Sequence, residues 1–375
     1  MTLSSSTITK KTFKLVCQKI QKETHDVKTF IFSIPNAETP VDFSYHAGQH
    51  LNFIVNMAGT MQTCCYTLSS SPTTAEYVSI TIKRIPQGKI SNYFHDHFKV
   101  GQSIDVSGVA GNFCLNSAIP QKILLISAGS GITPMLSMLR FMVEKQCTNQ
   151  IVFVHSAKQE IDLIARAEIS DLAKRHGNCQ VIYTLTQGAN SQWHGFQGRL
   201  NEHMLGNIKQ ISHYQSFVCG PKLFRNTTQA LLFKLGLAPS SYHDESFGGH
   251  EYSKDNTSDI KDSLPISMPE TKNQDSRPQS LMSQSNKKTV SIYFSRWKKR
   301  CQGNKQDSLL EQGEAAGLIL PYSCRGGCCG SCKAKLISGQ VKQNSTDGLS
   351  KREQQQGYIL LCSCNALTDV EISHE

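Results

Sequence analysis

Residues 324–332, CRGGCCGSC, place Cys324, Cys328, Cys329 and Cys332 within nine positions. No other stretch limits what this chain can fold into as strongly, because thiols so close together shape a loop around a metal site. A zinc ribbon needs paired C-x2-C knuckles, and here only Cys329 and Cys332 have that spacing upstream. Cys324, Cys329 and Cys332 instead give C-x4-C-x2-C, a spacing that holds a 2Fe-2S cluster. Gly326, Gly327 and Gly330 let backbone amides turn toward the sulfides, which a bulky loop would block. The fourth thiolate must come from a distant segment, and YILLCSCNALTDVEI offers Cys362 or Cys364. Such a cluster carries one electron at a time, so the rest of the chain has to supply a donor.

At 375 residues the chain is too long for a single core, and two or three domains are expected. Lys and Arg exceed Asp and Glu by 39 to 29, but the excess is spread out. Its densest cluster is RWKKR at 296–300, which reads as a solvated strand end or turn, so nucleic acid is not the expected partner. The N-terminal MTLSSSTITKKTFKLVCQ has no apolar h-region, and KILLISAGSGITPMLSML is too short and too rich in Gly, Ser and Pro to span a bilayer. A cytoplasmic location is therefore expected, with no transmembrane segment. Fourteen cysteines in that setting point to metal or redox chemistry rather than a disulfide framework.

Composition shifts sharply at 250–286, which is polar and has no sustained apolar period. It reads as a linker whose r.m.s. span is roughly 35 Å. Before it, residues 10–118 show short β-branched runs between turn residues (TFKLVCQKI, VKTFIFSI, HLNFIV, CCYTLSS, YVSITIKRI, SIDVSGV), the texture of an antiparallel β-barrel. Residues 119–249 alternate strands and helices: QKILLISAG, TPMLSMLRFMVEKQ, QIVFVHSA, DLIARAEISDLAKRHG, CQVIYTLT, then YQSFVCG and PKLFRNTTQALLFKLG. That pattern predicts an α/β doubly wound parallel sheet. The expected division is 10–118, 119–249, a linker at 250–287, and a final domain at 288–375.

Residues 288–375 resemble plant-type ferredoxin domains over nearly their whole length, through DSLLEQGEAAGLILPYSCRGGCCGSCKAKLISGQV and GYILLCSCNALTDVEI. The resemblance implies an α+β β-grasp fold. In that family the last ligand lies seven residues before an Asp, so Asp369 selects Cys362. The implied ligands are Cys324, Cys329, Cys332 and Cys362, with Cys328 and Cys364 as non-ligand neighbours.

CCYTLSSSP at 64–72 and the later GKISN resemble the flavin-binding barrel of the ferredoxin–NADP+ reductase superfamily. The motif R-x-Y-[ST]-x-x-S covers Tyr66, Thr67, Leu68 and Ser69. The resemblance implies that Tyr66 packs on the isoalloxazine of FAD and that Thr67 hydrogen-bonds near flavin N5. Gly88, Ile90 and Ser91 match the pyrophosphate turn. The family's Arg is replaced by Cys64, whose thiol cannot grip a pyrophosphate, so Lys83 or Arg84 is the expected substitute. SAGSGITPM matches the nucleotide turn through Gly129, Gly131, Thr133 and Pro134. FVCGPKLF supplies Gly220 and Pro221 for a turn and sets Cys219 beside nicotinamide and flavin, while HDESFG implicates Glu245 and Phe247 near the hydride path. Lys158 and Arg166, with Glu160 and Asp162 between them, favour NADH over NADPH.

The expected protein is an NADH-dependent flavin and iron–sulfur oxidoreductase, passing electrons from NADH to FAD to the 2Fe-2S cluster and on to a protein acceptor. The module order resembles that of the NADH reductases of hybrid-cluster protein, and also that of reductase components of phenylacetyl-CoA epoxidase and some desaturases. Hybrid-cluster protein is the expected acceptor, an oxygenase or desaturase component the alternative, and a non-enzymatic redox sensor a third reading. From position 288 onward twelve Lys or Arg face eight Asp or Glu, so the partner is expected to offer an acidic docking face. A monomer is expected.

Overall fold

The computed structural model describes residues 12–34, 44–245 except 58, 75, 117 and 190, and 289–373 except 319, 323–326, 328, 329, 331 and 347. Cys324, Cys328, Cys329, Phe247 and the 250–287 segment lie outside the described residues.

The first module is a six-stranded antiparallel sheet built from β1 (Phe13–Lys22), β2 (Val27–Ser33), β3 (His50–Met57), β4 (Thr60–Thr67), β5 (Tyr77–Lys83) and β6 (Ser103–Ala110). The strand order is β4-β3-β6-β1-β2-β5. An antiparallel bridge between Leu68 and Ile80 joins the two outer strands and closes the sheet into a barrel. Leu15, Phe30, Phe32, Leu51, Phe53 and Ile80 fill its interior, each essentially without exposure. Burying side chains of this size stabilises the fold by roughly 1.5–3 kcal/mol each. Helix α1 (Lys89–Asp96) lays Phe94 on that core, with its ring 5.3 Å from Phe30 and 5.6 Å from Tyr66.

The second module is a six-stranded parallel sheet ordered β10-β9-β8-β7-β11-β12. Its strands are β7 (Lys122–Ala128), β8 (Gln150–Ala157), β9 (Cys179–Leu185), β10 (Phe196–Gln197), β11 (Gln215–Cys219) and β12 (Tyr242–Glu245). The helices are α2 (Ile132–Glu144), α3 (Arg166–His176), α4 (Glu202–Gly206) and α5 (Lys222–Lys234). Strand β7 has β8 on one side and β11 on the other, so the chain order reverses there and a crevice opens beyond the strand ends. Sequence reading missed β10, α4 and β12. They are short, and the YHDE of β12 is too polar to read as a strand.

Helix α2 fastens the two modules together. Ser137 Oγ donates to the Ser70 carbonyl at 2.7 Å, and Arg140 Nη1 donates to the Ser69 carbonyl at 2.5 Å. Glu168 on α3 accepts two further bonds from Arg140, at 2.7 and 2.8 Å, which fixes the guanidinium.

The third module is a mixed sheet ordered β14-β13-β19-β15-β17 with a small β16–β18 pair. Its strands are β13 (Val290–Phe294), β14 (Lys299–Gly303), β15 (Lys333–Ser338), β16 (Val341–Gln343), β17 (Tyr358–Leu360), β18 (Cys364–Ala366) and β19 (Val370–Ser373). Helix α6 (Leu309–Ala315) starts at a Ser308/Glu311 capping box, as does α7 (Lys351–Gln355) at Ser350/Glu353. Lys222, at the start of α5, reaches Asp307 at 3.4 Å and Glu311 at 3.2 Å, which sets this module against the second. Among the described residues no helix is long and apolar enough to cross a membrane.

His155 in β8 is fully buried, its Nδ1 2.9 Å from Ser127 Oγ. Burial pushes its imidazole down to about 3. The unfolded chain takes up this proton near its ordinary value of about 6.5. Stability is therefore full above that pH and falls as the pH drops toward 3. Between pH 7 and pH 5 the loss from this one group is about 2 kcal/mol. Unfolding midpoints recorded across that range should fall more steeply in the native protein than in His155→Leu, and equal slopes would refute the assignment.

Candidate electron-transfer site

Three groups of side chains come together at the crevice. From the barrel, β4 delivers Tyr66 and Thr67, and β3 sets His50 directly opposite Thr67 across the antiparallel ladder. Tyr66 packs edge-on against Phe53 and Phe94, and burial raises its phenol well above the usual range, so it stays protonated. Thr67 Oγ1 is buried and has no hydrogen-bond partner among the described residues. Such a hydroxyl costs about 1–3 kcal/mol, which the polar edge of a flavin would recover. Leu68 and Ser69 continue the strand, with Ser69 Oγ 3.0 Å from Ser79 Oγ inside the barrel.

At the turn expected to meet the pyrophosphate, Gly88 caps α1 with no side-chain hydrogen bond, leaving the first helical amides open to an anion. Ser91 Oγ accepts from the Ile85 amide at 3.2 Å, and Ile90 lies beside it half-buried. The two candidate substitute cations are both engaged elsewhere. Lys83 pairs with Asp26 at 3.0 Å, and Arg84 holds both oxygens of Asp96 at 2.8 and 2.5 Å. Cys64 itself is 5% exposed and packs in the barrel core. Lys83→Ala and Arg84→Ala should each change the FAD dissociation constant by less than about threefold. A tenfold loss in either would mean that its ion pair opens for the pyrophosphate.

From the parallel sheet come the two turns beside the switch point. Gly129–Gly131 follows β7 with Gly129 at φ +54, and Thr133 and Pro134 open α2. Cys219 ends β11, and Gly220 and Pro221 follow it. The turns abut so closely that a Cβ on Gly131 would collide with the Cys219 carbonyl. The Cys219 thiol is fully buried and pushed well above its usual range by burial.

Glu245 ends β12 in register with Cys219. Its Oε1 lies 4.0 Å from His50 Nδ1, and the two side chains are 19% and 11% exposed. Burial first, then the neighbouring Asp244, raises its carboxyl to about 8 against the opposing pull of Arg225. Its Oε2 is buried without a partner among the described residues. Sequence reading missed His50. Nothing in GQHLNF marks it, because its acidic neighbour comes from a different module.

In the third module Cys332 Sγ and Cys362 Sγ lie 3.1 Å apart, and the Cys362 amide points to Cys332 Sγ at 3.5 Å. Cys364 Sγ instead faces Gln343 Oε1 at 3.4 Å, and burial pushes its thiol up to about 12. The loop is tight. A Cβ on Gly330 would come within 2.9 Å of the Gly348 carbonyl, and one on Gly327 within 2.8 Å of Ser363 Oγ. Two adjacent thiols held by a glycine loop suit an iron–sulfur cluster.

Residues 14–114 match the oxidoreductase FAD-binding domain family, 125–230 the oxidoreductase NAD-binding domain family, and 296–367 the 2Fe-2S iron–sulfur cluster binding domain family. The arrangement defines an NAD(P)H-dependent flavin and iron–sulfur oxidoreductase. The chain belongs to the ferredoxin–NADP+ reductase-type flavoproteins that carry an FAD-binding domain, an NAD-binding domain and a C-terminal 2Fe-2S ferredoxin domain. It is 30% identical to the glycine betaine monooxygenase reductase subunit of Chromohalobacter salexigens over 359 residues, covering 95% of this chain and 94% of that protein. It is 28% identical to the ferredoxin reductase component of 3-ketosteroid-9-alpha-monooxygenase from Rhodococcus rhodochrous over 357 residues, covering 95% and 94%. The solved phthalate dioxygenase reductase superposes with a TM-score of 0.55 at 20% identity, covering 96% of this chain and 97% of that one, a likeness of fold alone.

Thr67→Val tests the fit to flavin. Removing an unpartnered hydroxyl should leave the FAD-free protein as stable as before, or more stable by up to about 1 kcal/mol, while FAD binding weakens by about tenfold. Equal affinity in both proteins would show that the hydroxyl does not meet the flavin.

Proposed function

We propose that the protein is the reductase component of a multicomponent oxygenase, taking hydride from NADH and delivering single electrons to the oxygenase. The observation that carries this reading is that relatives matched along almost the full chain, at 30% and 28% identity, are reductase subunits of monooxygenases. It shifts the expected acceptor away from hybrid-cluster protein and toward the alternative, an oxygenase component.

FAD, when bound, accepts a hydride, and the 2Fe-2S cluster accepts electrons one at a time. The chain's own residues supply positions and protonation states. Tyr66 would cover the flavin ring, and the unpartnered Thr67 hydroxyl would hydrogen-bond near its N5. The Gly88, Ile90 and Ser91 turn takes the pyrophosphate. Gly129, Gly131, Thr133 and Pro134 shape the turn that meets the coenzyme diphosphate, and Gly220 and Pro221 bring Cys219 to the nicotinamide. Glu245, raised to about 8, keeps its proton at neutral pH and so sets no negative charge beside the ring that accepts hydride. Cys324, Cys329, Cys332 and Cys362 hold the iron.

The purified protein should be mixed with NADH and either a monooxygenase oxygenase component or hybrid-cluster protein. NADH oxidation coupled to product formation with the oxygenase component supports the proposal. Turnover with hybrid-cluster protein alone would return the function to the earlier expectation.

A further inference from the structure

In open parallel sheets of this kind, the end of the second strand meets the ribose that carries either a free 2′-hydroxyl or a 2′-phosphate, and an Arg there accommodates the phosphate. Here that strand is β8, whose register with β7 runs to the pair Ala128–Ser156 beside the nucleotide turn. Beyond it come exposed Lys158, the single turn Glu160–Asp162, and Arg166 at the start of α3. Lys158 and Arg166 are the basic side chains a 2′-phosphate could meet there, and Arg166 is already committed. Its Nη1 pairs with Glu160 Oε1, and its guanidinium lies over the Trp193 ring, 5.4 Å from the centroid. Trp193 gives that contact a fixed base. It is 8% exposed, and its Nε1 donates to the Phe196 carbonyl at 2.9 Å. A Cβ on Gly195 would collide with its ring, so the indole packs directly against that backbone.

We propose that Glu160 is the coenzyme-specificity determinant, excluding NADPH by holding Arg166 against Trp193. The inference rests on the reading of this strand end as the adenosine site of NADH. A 2′-phosphate carries up to two negative charges. To bind, it would have to detach Arg166 from Glu160 and then sit beside the carboxylate it displaced. NADH meets neither obstacle. Asp162 adds no alternative partner for Arg166, since its side chain accepts from the Gln159 amide at 3.0 Å and faces His25 at 3.6 Å.

Glu160→Gln keeps the shape of the side chain and removes its charge, which frees Arg166. The test is calorimetric binding of 2′,5′-ADP and 5′-AMP to the FAD-loaded full chain in three forms: native, Glu160→Gln, and Glu160→Gln with Arg166→Ala. The native protein should bind 5′-AMP better than 2′,5′-ADP. In Glu160→Gln the ratio should move toward 2′,5′-ADP by about tenfold, and the double variant should lose that gain. A native preference for 2′,5′-ADP, an unchanged ratio in Glu160→Gln, or a gain that survives Arg166→Ala would each overturn the proposal while leaving the adenosine site in place. A native protein that binds neither nucleotide would overturn the site itself and the proposal with it.

Discussion

Cys332→Ala is expected to end one-electron export while leaving hydride acceptance in place. Cys332 is 1% exposed, and its sulfur lies 3.1 Å from that of Cys362, so alanine would remove one of the two adjacent thiols proposed to hold the cluster. Reduction of cytochrome c by NADH, which needs single electrons from the cluster, should fall by roughly a hundredfold or more. Ferricyanide takes electrons directly from reduced flavin, so its reduction should persist at a rate close to the native one. The iron–sulfur absorption should vanish and the flavin absorption remain. Cys364→Ser makes the control, because its thiol faces Gln343 and not the Cys332–Cys362 pair. If it lost the cluster, the ligand assignment would be wrong. If Cys332→Ala lost ferricyanide reduction while FAD stayed bound, the serial order of the cofactors would be wrong.

Gly131→Ala should be nearly as damaging to the first half of the reaction. A Cβ at this position would meet the Cys219 carbonyl and the Gly220 amide, both backbone atoms that cannot rotate aside. The turns after β7 and β11 would have to separate, moving apart the turn proposed to meet the coenzyme diphosphate and the cysteine proposed to face the nicotinamide. A displacement of about 1 Å between reacting groups costs on the order of a hundredfold in rate. Flavin reduction by NADH, followed by rapid mixing, should slow by about that factor, while cluster absorption and FAD content stay native. Gly129→Ala is the comparison, since a Cβ there meets nothing within 4 Å. Its φ of +54 adds a left-handed backbone cost of roughly 1–2 kcal/mol, so Gly129→Ala shows the effect of strain without the collision. A Gly131→Ala rate within a few fold of native would mean that the turns flex freely and that their close approach has no part in catalysis.

The sequence carried most of the architecture because the relevant signals are local. The β-branched runs of the barrel, the strand–helix alternation after it and the spacing of Cys324, Cys329 and Cys332 each lie within one short window. What stayed hidden depends on contacts between distant segments. His50 reads as an ordinary strand residue until β12 brings Glu245 to 4.0 Å from it. Lys83 and Arg84 read as spare cations near a site that lacks its arginine, until Asp26 and Asp96 are found already holding them. The choice of acceptor is a property of a surface and a partner. The motifs that shape the cofactor sites do not encode it, and the whole-chain relatives redirected the expectation.

Electrons are expected to move from NADH to flavin to the cluster in that order. The most direct test is anaerobic rapid mixing of the native protein with NADH, following flavin and cluster absorption separately and repeating the experiment after FAD is removed. Flavin should bleach first, the cluster should then reduce at the rate at which flavin recovers, and the FAD-free protein should show no cluster reduction by NADH. Cluster reduction that precedes flavin bleaching, or that proceeds without FAD, would contradict that order.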